Sequence, residues 1–305
     1  MVLRTPDFAT RLDAEAARHR HVVVDCTCAA SATPPGFERL SLRSLRRGTE
    51  VFRLGARRVV LHEDNYLVVN GSRGRASAYV GEAGVSPLVV MFRPGSLEQC
   101  LSATDAEFGE FDPAREAFNF LETLQPHGGA VTRHLSGIER ALREGIYDGL
   151  ALEECIELLL GDVVATERET QGRESTMAGI KPSTRRELLR RVLMATDYIQ
   201  SSYDEPILLH DIAAAAHLSP YHLVRLFRRA HGLTPHAYLT RKRLSVALRL
   251  VSQTRLGLDD IAERAGLGTR SSLFRHLRRQ QGSGALALRA RGQAFMEPDA
   301  CTTPA

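Results

Sequence analysis

The chain has 305 residues, which is too long for one ordinary domain and about right for two, since domains cluster near ~100–150 residues. Hydrophobic residues make up 43% and charged residues 25%, a balance typical of globular proteins that excludes a disordered or collagen-like chain. The net charge of +4 is unevenly distributed: residues 185–292 contain 19 Lys and Arg against 8 Asp and Glu, which favours a C-terminal module that binds a polyanion.

Three features of the sequence predict a cytoplasmic location. No stretch approaches the ~20 consecutive apolar residues that a membrane span needs, so no membrane partner is expected. The first residues, Met1 to Asp7, contain no apolar segment of the kind found in secretion signals. The five cysteines are too few and too odd in number for a disulfide framework, which indicates a reducing compartment.

Short β-strands separated by turns are predicted between residues 37 and 110. Asn70-Gly71 is typical of a hairpin turn, and Pro94-Gly95 ends the last apolar run. Several short strands without a helical pattern between them favour a small sandwich or barrel. The strand candidates are 58–61, 66–69, 77–80 and 88–92.

Apolar residues then repeat at three- and four-residue spacing, which predicts two amphipathic helices. Both stripes could pack on the β-domain, or the second could line a dimer interface, because periodicity alone cannot separate a core from an interface. The first stripe comprises Leu135, Ile138, Leu142 and Ile146, and the second comprises Leu152, Ile156, Leu159, Leu160 and Val163.

The composition of residues 171–184 predicts a linker, because the segment has no periodicity and is rich in Gly, Ser and Thr. We therefore predict an N-terminal domain over residues 1–169, a linker over 170–184, a C-terminal domain over 185–292 and a disordered tail over 293–305. With strands and helices in the first domain and helices alone in the second, the predicted fold class is multidomain α+β.

Residues 211–227 have the pattern of a helix-turn-helix motif. Ser219 is the expected N-cap of the second helix, and Pro220 fits its first position, where a missing N–H costs nothing. The predicted inward positions are Ile212, Ala213 and Ala216 on the first helix and Leu223, Leu226 and Phe227 on the second, with Leu218 in the corner. The outward face of the second helix is then left to Tyr221, Val224 and Arg225.

The same pattern recurs over residues 260–275, where Gly266 opens the turn and Thr269 is the expected N-cap. On its second helix, the predicted inward residues are Leu273 and Leu277, and the outward residues are Arg270, Ser271 and Arg275. A long helix joins the two motifs and would hold them at a fixed separation. Its core positions are Leu244, Ala247, Leu248 and Val251.

Residues from about 190 to 291 resemble the DNA-binding domain of the AraC/XylS family of bacterial transcription regulators. The resemblance rests on the doubled motif and on the proline, tyrosine and arginine between its copies, and it covers about a third of the chain. The matching positions are Asp211-Ile212-Ala213, Leu218-Ser219-Pro220, Arg225-Leu226-Phe227, Gly232, Thr234-Pro235, Tyr238-Leu239, Arg243-Leu244, Ala247, Thr254 and Asp260-Ile261-Ala262.

The resemblance implies two recognition helices that enter successive major-groove faces on one side of the duplex. Arg225 and Arg275 are the candidates for reading guanine, because a guanidinium can bond O6 and N7 together. A phosphate contact or a solvated charge is the alternative for each arginine. The implied DNA-binding residues are Tyr221, Val224, Arg225 and Arg228 in the first recognition helix and Arg270, Ser271 and Arg275 in the second.

The second motif departs from the family pattern at several positions. Leu267 and Leu277 stand where the family usually has aromatic side chains. Ala285 and Leu288 stand where it usually has a proline and an aromatic residue. Most of these are changes to a smaller apolar side chain, which predicts a retained fold, a looser last helix and weaker reading of DNA by the second motif.

The resemblance also implies an N-terminal cupin-like barrel that senses a small-molecule effector, followed by helices for dimerisation. No metal or cofactor is expected, because ligand number and geometry decide metal binding and the strands carry only His62, with His19 and His21 upstream. Cys26 and Cys28 would share one face of a strand, either as a redox or metal sensor or as two buried, inert thiols.

The predicted function is that of a cytoplasmic, bacterial, sequence-specific transcription regulator. The resemblance implies an activator that binds double-stranded promoter DNA as a homodimer, contacts RNA polymerase and responds to an effector. No nucleophile elbow, phosphate loop or dinucleotide fingerprint indicates an enzyme. Two alternatives stay open, namely a cupin-type isomerase or oxygenase with a DNA-binding tail, and an architectural DNA binder without an effector.

Overall fold

In the computed structural model, the chain divides into two compact units, Met1–Asp197 and Tyr198–Ala305. The first unit contains the sheets, and the described part of the second unit is helical. No helix within the described ranges is both long and apolar enough to cross a membrane. The residues described are 2–3, 19–25, 39–54, 57–71, 76–80, 85–108, 118–145, 149–172 and 182–281.

The strands in these ranges form two sheets. They are β1 (Val2–Leu3), β2 (Val22–Asp25), β3 (Ser41–Arg47), β4 (Glu50–Leu54), β5 (Arg57–Leu61), β6 (Asn65–Val69), β7 (Ala76–Val80), β8 (Ser86–Met91) and β9 (Leu124–Pro126). One sheet has six strands in the order β1-β2-β8-β3-β6-β9, and the other has three in the order β5-β4-β7. Neighbouring strands are antiparallel except for β1 and β2, which are parallel. The four predicted strands are confirmed as β5 to β8.

Nine helices lie in the described ranges. They are α1 (Ser96–Phe108), α2 (Gly129–Glu144), α3 (Gly149–Gly172), α4 (Pro182–Ser201), α5 (Leu209–Ala215), α6 (Pro220–His231), α7 (Pro235–Gln253), α8 (Leu258–Arg264) and α9 (Arg270–Gln281). Helix α1 falls in the region predicted to contain strands alone, so that prediction is wrong there. The physical reason is that Leu97, Cys100 and Leu101 follow helical spacing and pack against the sheet.

The six-stranded sheet lies between the three-stranded sheet and helices α1 to α3. Side chains alternate along β6, so that Leu67 and Val69 pack with the three-stranded sheet while Tyr66 and Val68 pack with the helices. The apolar core between the sheets comprises Leu45, Phe52, Leu54, Val59, Leu61, Leu67, Val69, Val85 and Leu124. The N-terminal unit therefore has two apolar cores, one on each face of the central sheet.

Strands β5 and β6 are consecutive in the chain but belong to different sheets. The turn between them is held by Asn65, whose side-chain Oδ1 accepts from His62 N over 3.0 Å and whose backbone N donates to His62 O over 3.3 Å. The described strands thus form two separate sheets and no closed barrel, which leaves the cupin-like barrel unconfirmed. Of the sandwich and the barrel, the sandwich is the description that fits the sheets.

A buried ion pair joins the two sheets. Arg43 on β3 donates from Nη1 to Glu50 Oε1 on β4 over 3.0 Å, and both side chains are almost fully buried. The guanidinium of Arg43 also lies over the ring of Phe52, 5.0 Å from its centroid. Because either charge without the other would be buried and uncompensated, the pair holds β3 and β4 in one relative position.

The two predicted amphipathic helices are confirmed as α2 and α3. Their apolar stripes lie in the core with sheet residues such as Leu42 and Val90, so of the two alternatives packing on the β-domain is the one that the structure supports. Ile146 lies outside the described residues. Two other leucines of α3 are exposed, Leu150 by 74% and Leu158 by 53%. The buried members of the stripes are Leu135, Ile138, Leu142, Ile156, Leu159, Leu160 and Val163.

A buried carboxylate fastens α4 to both sheets of the first unit. Asp197 Oδ2 accepts from Arg57 Nη1 on β5 over 3.0 Å, and Oδ1 accepts from Leu124 N on β9 over 2.9 Å. Arg57 also donates from Nη2 to Glu122 O over 3.0 Å. Burial raises the pKa of Asp197 to about 7, although Arg57 and the Leu124 amide oppose the shift.

The predicted domain boundaries stay predictions. Helix α3 reaches Gly172 and α4 begins at Pro182, so most of the linker predicted over 170–184 lies outside the described residues. The predicted tail over 293–305 lies outside them as well. The compact units divide after Asp197, within α4.

His21 in the first unit makes hydrogen bonds that link separate parts of the chain. His21 Nδ1 accepts from Arg93 N over 3.1 Å, and its Nε2 lies 2.9 Å from Glu157 Oε1. Among the residues that the structure describes, no group of three or more His, Cys, Asp or Glu could hold a metal ion. Cys26 and Cys28 lie outside the described residues, so their role stays open.

Candidate nucleic-acid interface

Helices α5 and α6 form the first helix-turn-helix motif. The inward positions predicted from the sequence are confirmed, since all six are at most 3% exposed. This apolar contact fixes the angle between the two helices and leaves the opposite face of α6 in solvent. The buried residues are Ile212, Ala213, Ala216, Leu223, Leu226 and Phe227.

Hydrogen bonds at the helix starts define the first motif. Ser219 Oγ accepts from His222 N over 3.3 Å and Pro220 takes the first helical position, which confirms the predicted cap of α6. Asp211 Oδ2 accepts from Leu208 N over 2.8 Å at the start of α5. In the turn, Leu218 N donates to Ala213 O over 2.9 Å, and His217 has a φ of +52°.

Three aromatic rings dock α6 on the connecting helix α7. The Phe227 and His231 ring centroids are 4.4 Å apart, and Tyr238 on α7 lies 5.5 Å from Phe227 and 5.2 Å from His231. The start of α7 is capped by Thr234, whose Oγ1 accepts from Ala237 N over 3.2 Å. The first motif is therefore fixed to the N-terminal half of α7.

Helices α8 and α9 form the second motif, which repeats the buried stripe, the capped second helix and the turn hydrogen bond of the first. Leu273 and Leu277 are fully buried, as predicted, and Thr269 Oγ1 accepts from Ser272 N over 3.2 Å at the predicted cap of α9. Leu267 N donates to Ala262 O over 2.8 Å, and this bond corresponds to that from Leu218 N to Ala213 O in the first motif. The second turn is one residue longer because Gly268, with a φ of +74°, precedes the cap.

The predicted DNA-binding residues lie on two helix faces. On α6, Tyr221 is 79% exposed, Arg225 and Arg228 are exposed, and Val224 is half-buried. Tyr221, Arg225 and Arg228 share one face, since they are four and then three residues apart. On α9, Arg270, Ser271 and Arg275 are exposed. The guanidinium of Arg270 lies over the Phe274 ring of its own helix, 5.4 Å from the centroid.

Two of the four positions at which the second motif departs from the family pattern lie among the described residues. Leu277 is fully buried and Leu267 is half-buried, so both leucines still contribute to the packing of α8 and α9. Ala285 and Leu288 lie outside the described residues. The prediction that the second motif reads DNA more weakly stays a prediction.

Arg243 of α7 is a site residue whose importance the sequence did not reveal. It entered the prediction only as part of the family match Arg243-Leu244. In the structure its side chain donates to the backbone carbonyls of Tyr203 and Glu205, 40 and 38 residues away in the chain. No local sequence signal could have found this contact, because it depends on how α7 packs against the segment after α4.

A protein-family model described as a helix-turn-helix domain matches residues 212–291, the span of both motifs. The C-terminal domain is of the AraC/XylS type. The AraC/XylS-type domain includes the two capped motifs, and the connecting helix α7 lies between them.

Three known proteins illustrate the similarity of this chain. The probable transcriptional regulator LumQ of Photobacterium leiognathi is 27% identical over 134 residues, which are 39% of this chain and 54% of LumQ. The bifunctional transcriptional activator and DNA repair enzyme AdaA of Bacillus subtilis is 32% identical over 74 residues, 24% of this chain and 35% of AdaA. The solved DNA-binding domain of the global transcriptional factor AdpA, in complex with a target DNA, is 28% identical, with a TM-score of 0.33, and the match covers 34% of this chain and 95% of that one.

This chain spans 54% and 35% of the lengths of LumQ and AdaA. The match to AdaA involves the helix-turn-helix region alone. The similarity to AdaA therefore concerns the AraC/XylS-type domain alone and assigns no role to the N-terminal unit.

Proposed function

We propose that this protein is a bacterial transcription regulator whose AraC/XylS-type domain binds promoter DNA sequence-specifically through both helix-turn-helix motifs. The observation that carries the proposal is the pair of capped helices, α6 and α9, each with exposed arginines and each in contact with α7. An α-helix of this size fits the major groove, where every base pair presents a distinct pattern of donors and acceptors. The protein acts in the cytoplasm, where its DNA target is found.

The residues proposed to contact DNA are those of the two exposed faces. Arg225 and Arg275 would each bond O6 and N7 of a guanine, because the guanidinium fork matches both acceptors at once. Tyr221 offers an aromatic surface and a hydroxyl at the start of α6. The other proposed contacts are Val224 and Arg228 on α6, and Arg270 and Ser271 on α9.

The N-terminal unit, proposed as residues 1–169 ahead of a linker at 170–184, is assigned the sensing and dimerisation roles that the family resemblance implies. An effector that binds one arrangement of the protein more tightly would shift the DNA-binding equilibrium by its differential affinity. Exposed Leu150 and Leu158 on α3 support a homodimer contact. AdaA is a transcriptional activator, which supports activation of transcription by this protein through RNA polymerase. We assign no catalytic role to the chain.

Selection of binding sites from a random duplex pool by the purified protein tests the proposal. We expect an enriched motif that spans two adjacent major grooves. A single short half-site would mean that the second motif does not read bases. Retention of every sequence alike, with binding that falls steeply with salt, would overturn the proposal and leave an architectural protein held by charge alone.

Arg225→Ala is expected to weaken binding to the selected site by about 1–3 kcal/mol, because it removes a bidentate contact to a base edge. Binding to a random duplex should change little, since non-specific affinity comes from the summed charge. Arg229→Ala is the matched control, an exposed arginine in the last turn of the same helix. Fluorescence anisotropy on both duplexes measures the change. Equal losses of affinity on the two duplexes would remove the base-reading role of Arg225.

A further inference from the structure

Arg243 lies where three parts of the AraC/XylS-type domain meet. Its Nε donates to Tyr203 O over 2.6 Å, and its Nη2 donates to Glu205 O over 2.7 Å. Both carbonyls belong to the short segment between α4 and α5. Burial lowers the pKa of Arg243 from its ordinary value, and the nearby Asp204 carboxylate opposes the shift. The side chain therefore gives up part of its contact with water to hold two backbone carbonyls at once.

The segment that Arg243 holds leads directly into the first motif. Ile207 N donates to Glu205 O over 3.0 Å, and Leu208 N donates to the capping carboxylate of Asp211 over 2.8 Å. These two hydrogen bonds order the residues between Glu205 and the start of α5. Residues 205–208 form the lead-in of the first motif. A residue that fixes Glu205 against α7 therefore also fixes this lead-in against the same helix.

The turn of the second motif packs against the same segment and the same arginine. A Cβ built on Gly266 would lie 2.5 Å from Tyr203 O and 2.9 Å from both Arg243 Nε and Asp204 Cα. The backbone of this turn therefore approaches the segment after α4 as closely as a glycine allows. Arg243 and Tyr203 are consequently shared by the lead-in of the first motif and the turn of the second.

We propose that Arg243 is the positioning residue that sets the relative placement of the two recognition helices, and so selects the spacing between the two half-sites on DNA. The proposal rests on the proposed function, since it requires that both motifs read bases. Only arginine suits this position, because Nε and Nη2 form a planar fork that can reach two carbonyls, whereas lysine has one flexible ammonium.

One base pair inserted between half-sites moves them apart by ~3.4 Å and rotates them by roughly a tenth of a turn. A domain with two rigidly related reading helices cannot follow that change without losing one half-site. We therefore expect the wild-type protein to bind the selected site at least about tenfold more tightly than the same site with one inserted base pair, since simultaneous engagement supplies much of the affinity.

Arg243→Lys tests the proposal in the full-length protein, with Arg241→Lys as the matched control on the exposed side of α7. The probes are the duplex selected from the random pool, the same duplex with one inserted base pair, and a duplex carrying the first half-site alone. Arg243→Lys should bind the native spacing more weakly and should lose most of its preference over the inserted spacing. Its affinity for the half-site should stay within about twofold of wild type, since binding there needs only the first motif. Arg241→Lys should behave as wild type on all three probes.

Four outcomes would overturn the proposal. Arg243→Lys could keep the wild-type spacing preference, or its half-site affinity could fall as far as its full-site affinity, which a general loss of folding would cause. If circular dichroism shows that Arg243→Lys is unfolded, Arg243→Gln replaces it, and failure of both variants to fold would mean that Arg243 serves stability alone. A wild-type protein that binds the half-site as tightly as the full site would instead refute the proposed two-motif function, and the spacing role with it.

Discussion

Gly266→Ala is expected to lower the free energy of unfolding of the C-terminal unit by about 3 kcal/mol or more. Gly266 has a φ of +67°, in the left-handed region where an L side chain costs roughly 1–2 kcal/mol. The added Cβ would also lie 2.5 Å from Tyr203 O and 2.9 Å from Asp204 Cα, both of them backbone atoms. Because backbone cannot rotate away as a flexible side chain can, the turn itself must shift, at an overpacking cost of roughly 1–3 kcal/mol.

Gly268→Ala separates the two contributions. Gly268 has a φ of +74°, but no atom lies within 4 Å of a Cβ built there. Its substitution should therefore cost the backbone strain alone, about 1–2 kcal/mol. Urea denaturation followed by circular dichroism, on the full chain, compares the two variants with wild type. Equal losses of stability would contradict the close approach between the second turn and the segment after α4.

The first motif shows why the matching position does not always require glycine. His217 corresponds to Gly266 in the repeated pattern and also has a positive φ, +52°. Its side chain is exposed, so the left-handed backbone is accommodated without a clash. Gly266 differs in its neighbours rather than in its own conformation, since Tyr203 and Arg243 occupy the space that a side chain would need.

The two motifs could be predicted from the sequence because local signals define them. Ser219 and Thr269 stand directly before their helices, and their side chains need only the amide three residues later to form a cap. The inward stripe of α6 follows from helical spacing alone. The exposed faces then follow from the stripes, which is why the candidate DNA-binding residues could be named without a structure.

The contacts that organise the motifs and the sheets could not be predicted, because they join residues that are distant in the chain. Arg243 meets carbonyls 40 and 38 residues away, and Asp197 meets Arg57 across 140 residues. The division of β5 and β6 between two sheets is equally non-local. Short apolar segments separated by turns identified each of these strands, but they carry no information about which strand becomes the neighbour of which.

A pH-dependent loss of stability is expected in the N-terminal unit, and Asp197 is its source. Burial raises the pKa of this carboxyl from 3.8 to about 7 in the folded chain. Between these values the folded state binds more protons than the unfolded state, so the free energy of unfolding falls as the pH rises from about 4 to about 7. Because a change of one in pKa corresponds to about 1.4 kcal/mol, the fall should amount to a few kcal/mol across that interval.

Asp197→Asn should remove this part of the pH dependence, because the amide keeps the shape of the carboxyl but does not titrate. Urea denaturation at several pH values between 4.5 and 7.5 measures the slope, and Glu153→Gln, an exposed acid of α3, is the matched control. Burial raises the pKa of Glu139 too, but that contribution is common to all three proteins and cancels in the comparison. A slope for Asp197→Asn that equals the wild-type slope would mean that Asp197 is already ionised well below pH 7. The attraction of Arg57 and the Leu124 amide would then outweigh burial, and the carboxylate would fasten α4 to the sheets as a charged group throughout this range.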